Sequence, residues 1–402
     1  MFDCFCALCE ESAYSAFKNK NYLYSKPKIN HIHQSFQIAL PISAMYGIIR
    51  IMDFREIVSG EARGVTASAA RAGLTVLEAL YAPAVALRNC WYDFVPGAAR
   101  RVDVPVVSVG NVTMGGTGKT PLTAAVVQRA VSRGVKTAII SRGYHAKPGE
   151  LNDEGKELTT RIPDCVYVQN PKRAQAAAEL CAEESSRPQL IVLDDGFQHR
   201  RLARQLDIVL VDALNPFGYN RICPRGFLRE SLSALRRAHC VVITRADRVE
   251  ESELKRIEEK ILSYIRDLVL ARACHRPGVL RTLSGWTEPL SALAGKRVMA
   301  YCGLGNPDAF RQTVESLDCN VAAFKAYPDH HLYGESDEKE ITALAEQAQA
   351  DAVVCTMKDF VKLSPAMAQK SIPVYGIEID MAFLSGEADF WTLVDSVIAE
   401  FC

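Results

Sequence analysis

Residues 110–121 read GNVTMGGTGKTP, and few other stretches restrict the fold of this chain so tightly. A glycine-rich loop that opens a helix can wrap its backbone N–H groups around phosphates; Lys119 adds a positive charge for the β/γ-phosphates, and Thr120 offers a hydroxyl to Mg²⁺. The flanks supply the context such a loop needs. Residues 104–109 (VPVVSV) form an apolar, β-branched run suited to a buried parallel strand. Residues 121–133 place Leu122, Ala125, Val126 and Ala130 on one helical face, and 137–140 (TAII) give a second strand. Together they predict a right-handed βαβ unit. The strict P-loop pattern has its first glycine where Thr113 stands, and Gly115 and Gly116 supply the flexibility instead. Met114, Gly115, Gly116, Thr117, Gly118, Lys119 and Thr120 are therefore the expected phosphate-binding residues, and a nucleoside triphosphate is the expected ligand.

Residues 190–195 (LIVLDD) read as a strand ending in two carboxylates. In P-loop proteins an acid at the end of a neighbouring strand holds Mg²⁺, so Asp194 and Asp195 join Thr120 as expected metal ligands. The plainer alternative is a solvated turn after the strand. Further strands are expected at 208–211 and 240–244, which makes 104–270 a doubly wound α/β sheet. A polar stretch with Pro277 and Gly278 follows at 275–283. A second strand–helix set then begins at 296 (RVMAYCGLG), continues through a helix at 307–317 and VAAFKAYPDHH, and adds strands at 351–355 and 372–376. The expected fold is a P-loop NTPase-like, doubly wound, mainly parallel α/β sheet with a second, smaller α/β domain. The expected divisions are an extension (1–51), a helical segment (52–98), a P-loop domain (99–275) and a C-terminal domain (276–402).

The 402 residues carry 47 basic and 47 acidic side chains, a balance that argues against a nucleic-acid partner held by bulk charge. The 13 cysteines are scattered, with Cys4, Cys6 and Cys9 as their one close group, and reduced thiols are expected. Residues 1–51 lack periodicity, and 35–51 are too short for a clean membrane span. An initiation at Met52 is one expectation for this region. In 66–94, Leu74, Leu77, Tyr81 and Val85 recur at near-helical spacing ahead of Trp91 and Tyr92, while Arg71, Glu78, Pro83 and Arg88 intervene. An interfacial amphipathic helix and a helix packed on a soluble core both fit this pattern.

Eight blocks in order resemble one family, tetraacyldisaccharide 4′-kinase (lipid A 4′-kinase). They are LYAPAVALRNCWYD, VPVVSVGNVTMGGTGKTP, SRGYHAK, LDDGFQHRRL, ALNPFGYNRICPRGFLRE, YCGLGNPDAF, YPDHHLY and TMKDFVKL, spanning 80–363. The resemblance implies an ATP- and Mg²⁺-dependent transfer of the γ-phosphate to the 4′-hydroxyl of a lipid A disaccharide precursor. It also implies an N-terminal membrane-associated helix, a position at the cytoplasmic face of the bacterial inner membrane in contact with its lipid, and action as a monomer. By the same resemblance Asp153 is the carboxylate near the acceptor hydroxyl, paired with His330 or His331, of which His330 is favoured. Asn152 and Gly155 depart from the glycine and proline that usually flank this acid pair. Gln198 and His199 are implied near the metal or acceptor, and Arg142, Arg225 and Arg229 at phosphates. Lys358 lies near the base or nucleotide, or in a strand-end ion pair.

Three other readings compete. Thr244-Arg245-Ala246-Asp247 loosely echoes a guanine-reading motif, which would suit a P-loop GTPase or metallochaperone-type switch. A partitioning-type ATPase would carry a lysine where Met114 stands. A nucleotide sensor would bind ATP without phosphorylating a lipid.

Overall fold

The structure is a computed structural model that describes residues 54–144, 146 and 149–399. The expectations for 1–51, including Met52 and the three leading cysteines, lie outside the described residues. Contacts divide the chain into two units. Of the described residues, the larger holds those in 91–112, 116–216 and 233–399; the smaller holds 54–90, 113–115 and 217–232.

The larger unit is built on one sheet. Its strands are β1 (Val106–Asn111), β2 (Thr137–Ser141), β3 (Val166–Gln169), β4 (Leu190–Asp194), β5 (Leu206–Asp212) and β6 (Cys240–Thr244). They continue as β7 (Val269–Thr282), β8 (Thr287–Pro289), β9 (Arg297–Cys302), β10 (Asn320–Ala326), β11 (Ala352–Thr356) and β12 (Val374–Ser385). The order across the sheet is β10-β9-β11-β12-β7-β6-β5-β1-β4-β2-β3, with β8 on β7. All neighbours are parallel except β7–β12 and β7–β8. Every residue of β1, β4 and β6 is buried, as strands covered on both faces require. Each fully buried Val, Leu or Ile there contributes about 1.5–3 kcal/mol of apolar transfer.

β1 lies between β4 and β5, so the chain winds away from it in both directions. The crevice at the carboxyl end of such a strand is where open α/β sheets bind ligands. The expected doubly wound, mainly parallel sheet is present. Its second parallel run, β10-β9-β11-β12, repeats the device with β9 at its switch point.

The polar stretch expected to be a junction at 275–283 is instead part of β7, and the boundary at 275/276 falls inside this one strand. Its polarity follows from partial burial: the first residues pair parallel with β6, and the rest pair antiparallel with β12. Pro277 lacks a ladder donor and sits opposite Ile379, beside a register shift in β12. The Asp380 carboxylate lies where a side chain on Gly278 would go.

A second difference concerns 153–161, which had no expected element. It is a helix, Asp153–Arg161, capped by Asn152, whose side chain accepts the Gly155 N–H at 2.9 Å. Asparagine is a strong cap, which explains its presence ahead of the acid pair. Glu157 on this helix is buried, and burial pushes its carboxyl up to about 7 despite nearby Lys358 and Arg161. A raised carboxylate stabilises the fold fully below its unfolded pKa and loses that contribution as pH climbs toward the folded value. Wild-type protein should therefore lose about 2 kcal/mol between pH 4.5 and 7 that Glu157→Gln keeps. Thermal melts of the two proteins across that range check this; equal slopes would contradict it.

In the smaller unit, Phe54–Ser59 and the first turns of Val65–Phe94 bury Phe54, Ile57, Val58, Ala67, Ala70 and Leu74 against Tyr219 and Phe227. The residues expected to interrupt the long helix do not break it: it runs 30 residues through Pro83. Arg71 caps backbone by donating to the Ala62 carbonyl, and Glu78 accepts the Ile222 N–H. The helix is long and apolar enough to cross a membrane, and only 17% of its apolar window is buried. Leu80, Leu87, Trp91 and Phe94 stay exposed.

Candidate active site

The chain leaves β1 through Asn111 and re-enters order as the helix Lys119–Ser132. Gly118 caps that helix in the left-handed region at φ +89°, a conformation that favours glycine. A Cβ at Gly118 would also collide with His275 Nε2. Side chains from the sheet fix the loop's larger-unit part. Asn111 Nδ2 donates to Thr117 Oγ1 at 3.0 Å, Thr244 Oγ1 to the Thr117 carbonyl at 2.9 Å, and Arg245 Nη2 to the Gly116 carbonyl at 2.8 Å. Carbonyls are thus tied down from behind, and the first amides of the helix stay available for an anion. Met114 and Gly115 belong to the smaller unit, where the Met114 N–H donates to the Phe227 carbonyl at 2.7 Å.

β4 pairs with β1 and delivers Asp194 and Asp195 beside this helix. Lys119 Nζ lies 3.8 Å from Asp195 Oδ1, and Thr123 Oγ1 donates to Asp194 Oδ1 at 3.2 Å. Asp195 has φ +51°, and the buried Arg173 donates to the carbonyls of both aspartates. Burial pushes the Asp194 carboxyl up to about 7, with Glu154 and Asp195 adding to the rise and Lys119 opposing it.

Glu154 follows Asp153 at the start of its helix. Asp153 Oδ2 lies 3.2 Å from His330 Nδ1 and 3.0 Å from Lys362 Nζ. These two partners outweigh desolvation and hold the Asp153 carboxyl below its usual range. His330 has φ +55°, with its N–H directed to the Gly303 carbonyl at the end of β9. His331 faces elsewhere: its Nε2 is 3.2 Å from Asp337 Oδ2, and its ring stacks on Tyr327 at 4.8 Å. Of the two histidines left open by the sequence, His330 is the one beside Asp153.

The remaining expected residues scatter. Gln198 Nε2 donates to the Asn111 carbonyl at 2.9 Å, at the end of β1. His199 contributes its carbonyl to Arg204 at 2.7 Å. The Arg142 guanidinium lies over the Tyr144 ring at 5.1 Å. Arg225 and Arg229 lie in the smaller unit, where Arg225 donates to the Val58 carbonyl. Lys358 sits among Glu154, Glu157, Asp329 and Asp153; burial lowers its pKa, but these acids outweigh it and leave the ammonium raised.

Lys362, Arg173, His275, Asn111 and Asp359 escaped the sequence reading. Lys362 lies four residues after Lys358 in the TMKDFVKL block, a spacing that puts both on one side of a helical turn. In the guanine-reading alternative, Arg245 stands where that motif has lysine, and it is engaged by the Gly116 carbonyl and by an ion pair with Asp212.

A parallel, doubly wound sheet with this loop at its switch point defines a P-loop nucleotide-binding protein. The chain belongs to the tetraacyldisaccharide-1-P 4′-kinase family, whose model matches residues 70–399. The tetraacyldisaccharide 4′-kinase of Anaeromyxobacter sp. (strain Fw109-5) is 38% identical over 350 residues, covering 82% of this chain and 92% of that protein. The one from Geobacter metallireducens (strain ATCC 53774 / DSM 7210 / GS-15) is 36% identical over 342 residues, covering 81% and 97%. Among solved structures, LpxK from Aquifex aeolicus in complex with ATP superposes with a TM-score of 0.64 at 25% identity, covering 82% of this chain and 99% of that one.

Proposed function

We propose that this protein transfers the γ-phosphoryl group of ATP to the 4′-hydroxyl of a tetraacyl disaccharide 1-phosphate, a precursor of lipid A. The observation that carries the mechanism is the Asp153–His330 contact in the same unit as Lys119, with Glu154, the residue after Asp153, close enough to Asp194 to help raise its carboxyl.

The chemistry follows from those groups. A sugar hydroxyl is a weak nucleophile at neutral pH and needs a positioned proton acceptor. Asp153, kept ionised, takes the hydroxyl proton as the acceptor oxygen bonds to the γ-phosphorus. The bond to the β–γ bridging oxygen breaks, and ADP leaves. His330 Nδ1 orients Asp153 and shares the proton. Lys119 offsets charge on the β- and γ-phosphates, and the amides at the start of Lys119–Ser132 cradle them.

The donor set suits Mg²⁺. Thr120, Asp194 and Asp195 offer only oxygens, with Lys119 beside the carboxylates and Arg173 on the backbone carbonyls of both acids. Among the described residues no group of three or more His, Cys, Asp or Glu gathers as a metal cluster, which agrees with an ion held by few carboxylates plus phosphates. Thr120, Asp194 and Asp195 would hold Mg²⁺, which would supply charge neutralisation to the transferring group. Gln198, His199, Arg142, Arg225 and Arg229 are proposed contacts for the acceptor or its 1-phosphate.

The exposed apolar face of Val65–Phe94 supports association with the cytoplasmic face of the bacterial inner membrane, where the acceptor resides. We further propose that the protein works as a monomer.

The test is direct. Incubation with labelled ATP, Mg²⁺ and the detergent-solubilised disaccharide 1-phosphate should give a labelled bis-phosphate, with ATP preferred over GTP. Nucleotide binding without a labelled lipid would overturn the reading.

A further inference from the structure

Beyond the acid–imidazole pair, a buried lysine reaches the same carboxylate. Lys362 has a side chain only 4% exposed, and its Nζ lies 3.0 Å from Asp153 Oδ2 and 3.9 Å from Asp359 Oδ1. Asp359 is fully buried and held rigidly: its Oδ2 accepts the Gly303 N–H at 2.9 Å and the Thr356 hydroxyl at 2.6 Å. Gly303 in turn accepts the His330 N–H through its carbonyl. One residue at the end of β9 thus fixes both arms that grip Asp153, the lysine through Asp359 and the histidine through its backbone. Both arms meet Asp153 at Oδ2, and neither contact uses Oδ1.

We propose that Lys362 is a positioning residue for phosphoryl transfer: it pins Asp153 Oδ2 and leaves Oδ1 to receive the acceptor hydroxyl. This rests on Asp153 being the proton acceptor.

Other titratable groups lie on the helix of Asp153 and on the elements around it, so its titration reports a balance. Its own helix brings Glu154 and Glu157. The loop after β10 brings Asp329 and His330, and the turn after β11 brings Lys358 and Lys362. The Lys119–Ser132 helix carries Lys119, paired with Asp195. β3 carries Tyr167, whose phenol burial pushes upward and which donates to Ser141. Lys362 is the ammonium in direct contact with the carboxylate. Removing it should let the Asp153 pKa rise, so the acid limb of the rate profile moves to higher pH.

The experiment uses the full-length protein with Lys362→Met, Lys362→Gln and Lys362→Arg, beside Asp153→Asn and the Asp153→Asn/Lys362→Met double variant. Lys362→Met should lower kcat about 30- to 100-fold, leave KM for ATP within about twofold, and raise the acid limb of kcat by about one pH unit. Lys362→Gln should repeat the shift, and it decides the matter where the Met variant does not accumulate. Lys362→Arg should restore most of kcat and the wild-type limb. In the Asp153→Asn background the Met substitution should cost nothing more, because a residue acting through another has nothing left to act on. A Met or Gln variant with unmoved kcat and limb would overturn the proposal, as would an additive loss in the double variant. Full activity in Asp153→Asn would instead overturn the proton-acceptor reading itself.

Discussion

Asp153→Asn should lower kcat about a thousandfold while ATP affinity stays within a few-fold of wild type, since removing a positioned general base costs on the order of 10²–10⁴. The amide keeps the size of the carboxylate, and Asn can serve at the start of the Asp153–Arg161 helix as Asp does. The fold should therefore persist. Chemistry should not, because an amide oxygen has no useful basicity and cannot take the hydroxyl proton. The loss should appear in single-turnover phosphoryl transfer to the lipid, and binding of ATP measured by calorimetry should report that the cradle is intact. A variant that transfers at the wild-type rate would remove Asp153 from the mechanism.

Lys119→Ala should be about as severe in kcat/KM, on the order of a thousandfold, but with a different signature: both kcat and ATP affinity fall, since the charge partner of the transferring phosphoryl group is gone. A second effect adds to the first. Lys119 holds down the Asp194 carboxyl against burial, Glu154 and Asp195. Without it Asp194 protonates at still higher pH, so the metal site should weaken and the Mg²⁺ concentration for half-maximal rate should rise. Lys119→Arg should recover little, because a planar guanidinium does not fit where a compact ammonium lies 3.8 Å from Asp195. Steady-state rates over a Mg²⁺ titration measure both effects, and an Ala variant with wild-type ATP affinity would contradict the assigned role.

The parts of this molecule that were legible in its sequence are those whose determinants are local. A β-branched apolar run, a glycine-rich loop and an amphipathic helix sit next to one another in residues 104–133, so the strand, the loop and the helix Lys119–Ser132 follow from one stretch of chain. β7 was hidden for the opposite reason. Its residues are polar and interrupted by Pro277 and Gly278, and what makes them a strand is pairing with β6 on one side and with the distant β12 on the other. The Asp153–Arg161 helix is short and charged, with a cap as its main local signal, and its burial comes from elements far along the chain. The choice between His330 and His331 was equally non-local. It depends on Asp337 and Tyr327 drawing His331 aside, while a positive φ turns His330 toward Asp153. Lys362 is separated from Asp153 by the whole of β3 to β11, and no spacing rule links them.

The central claim is that the Asp153 carboxylate meets the acceptor hydroxyl at the mouth of the Lys119 loop. A crystal structure with Mg²⁺, a non-hydrolysable ATP analogue and the disaccharide 1-phosphate measures this most directly. The expected result is an Asp153 carboxylate oxygen about 2.6–3.2 Å from the 4′-oxygen, with that oxygen about 3–3.5 Å from the γ-phosphorus and in line with the bridging bond. A complex in which another side chain holds the 4′-hydroxyl, with Asp153 and His330 turned away from it, would contradict the claim.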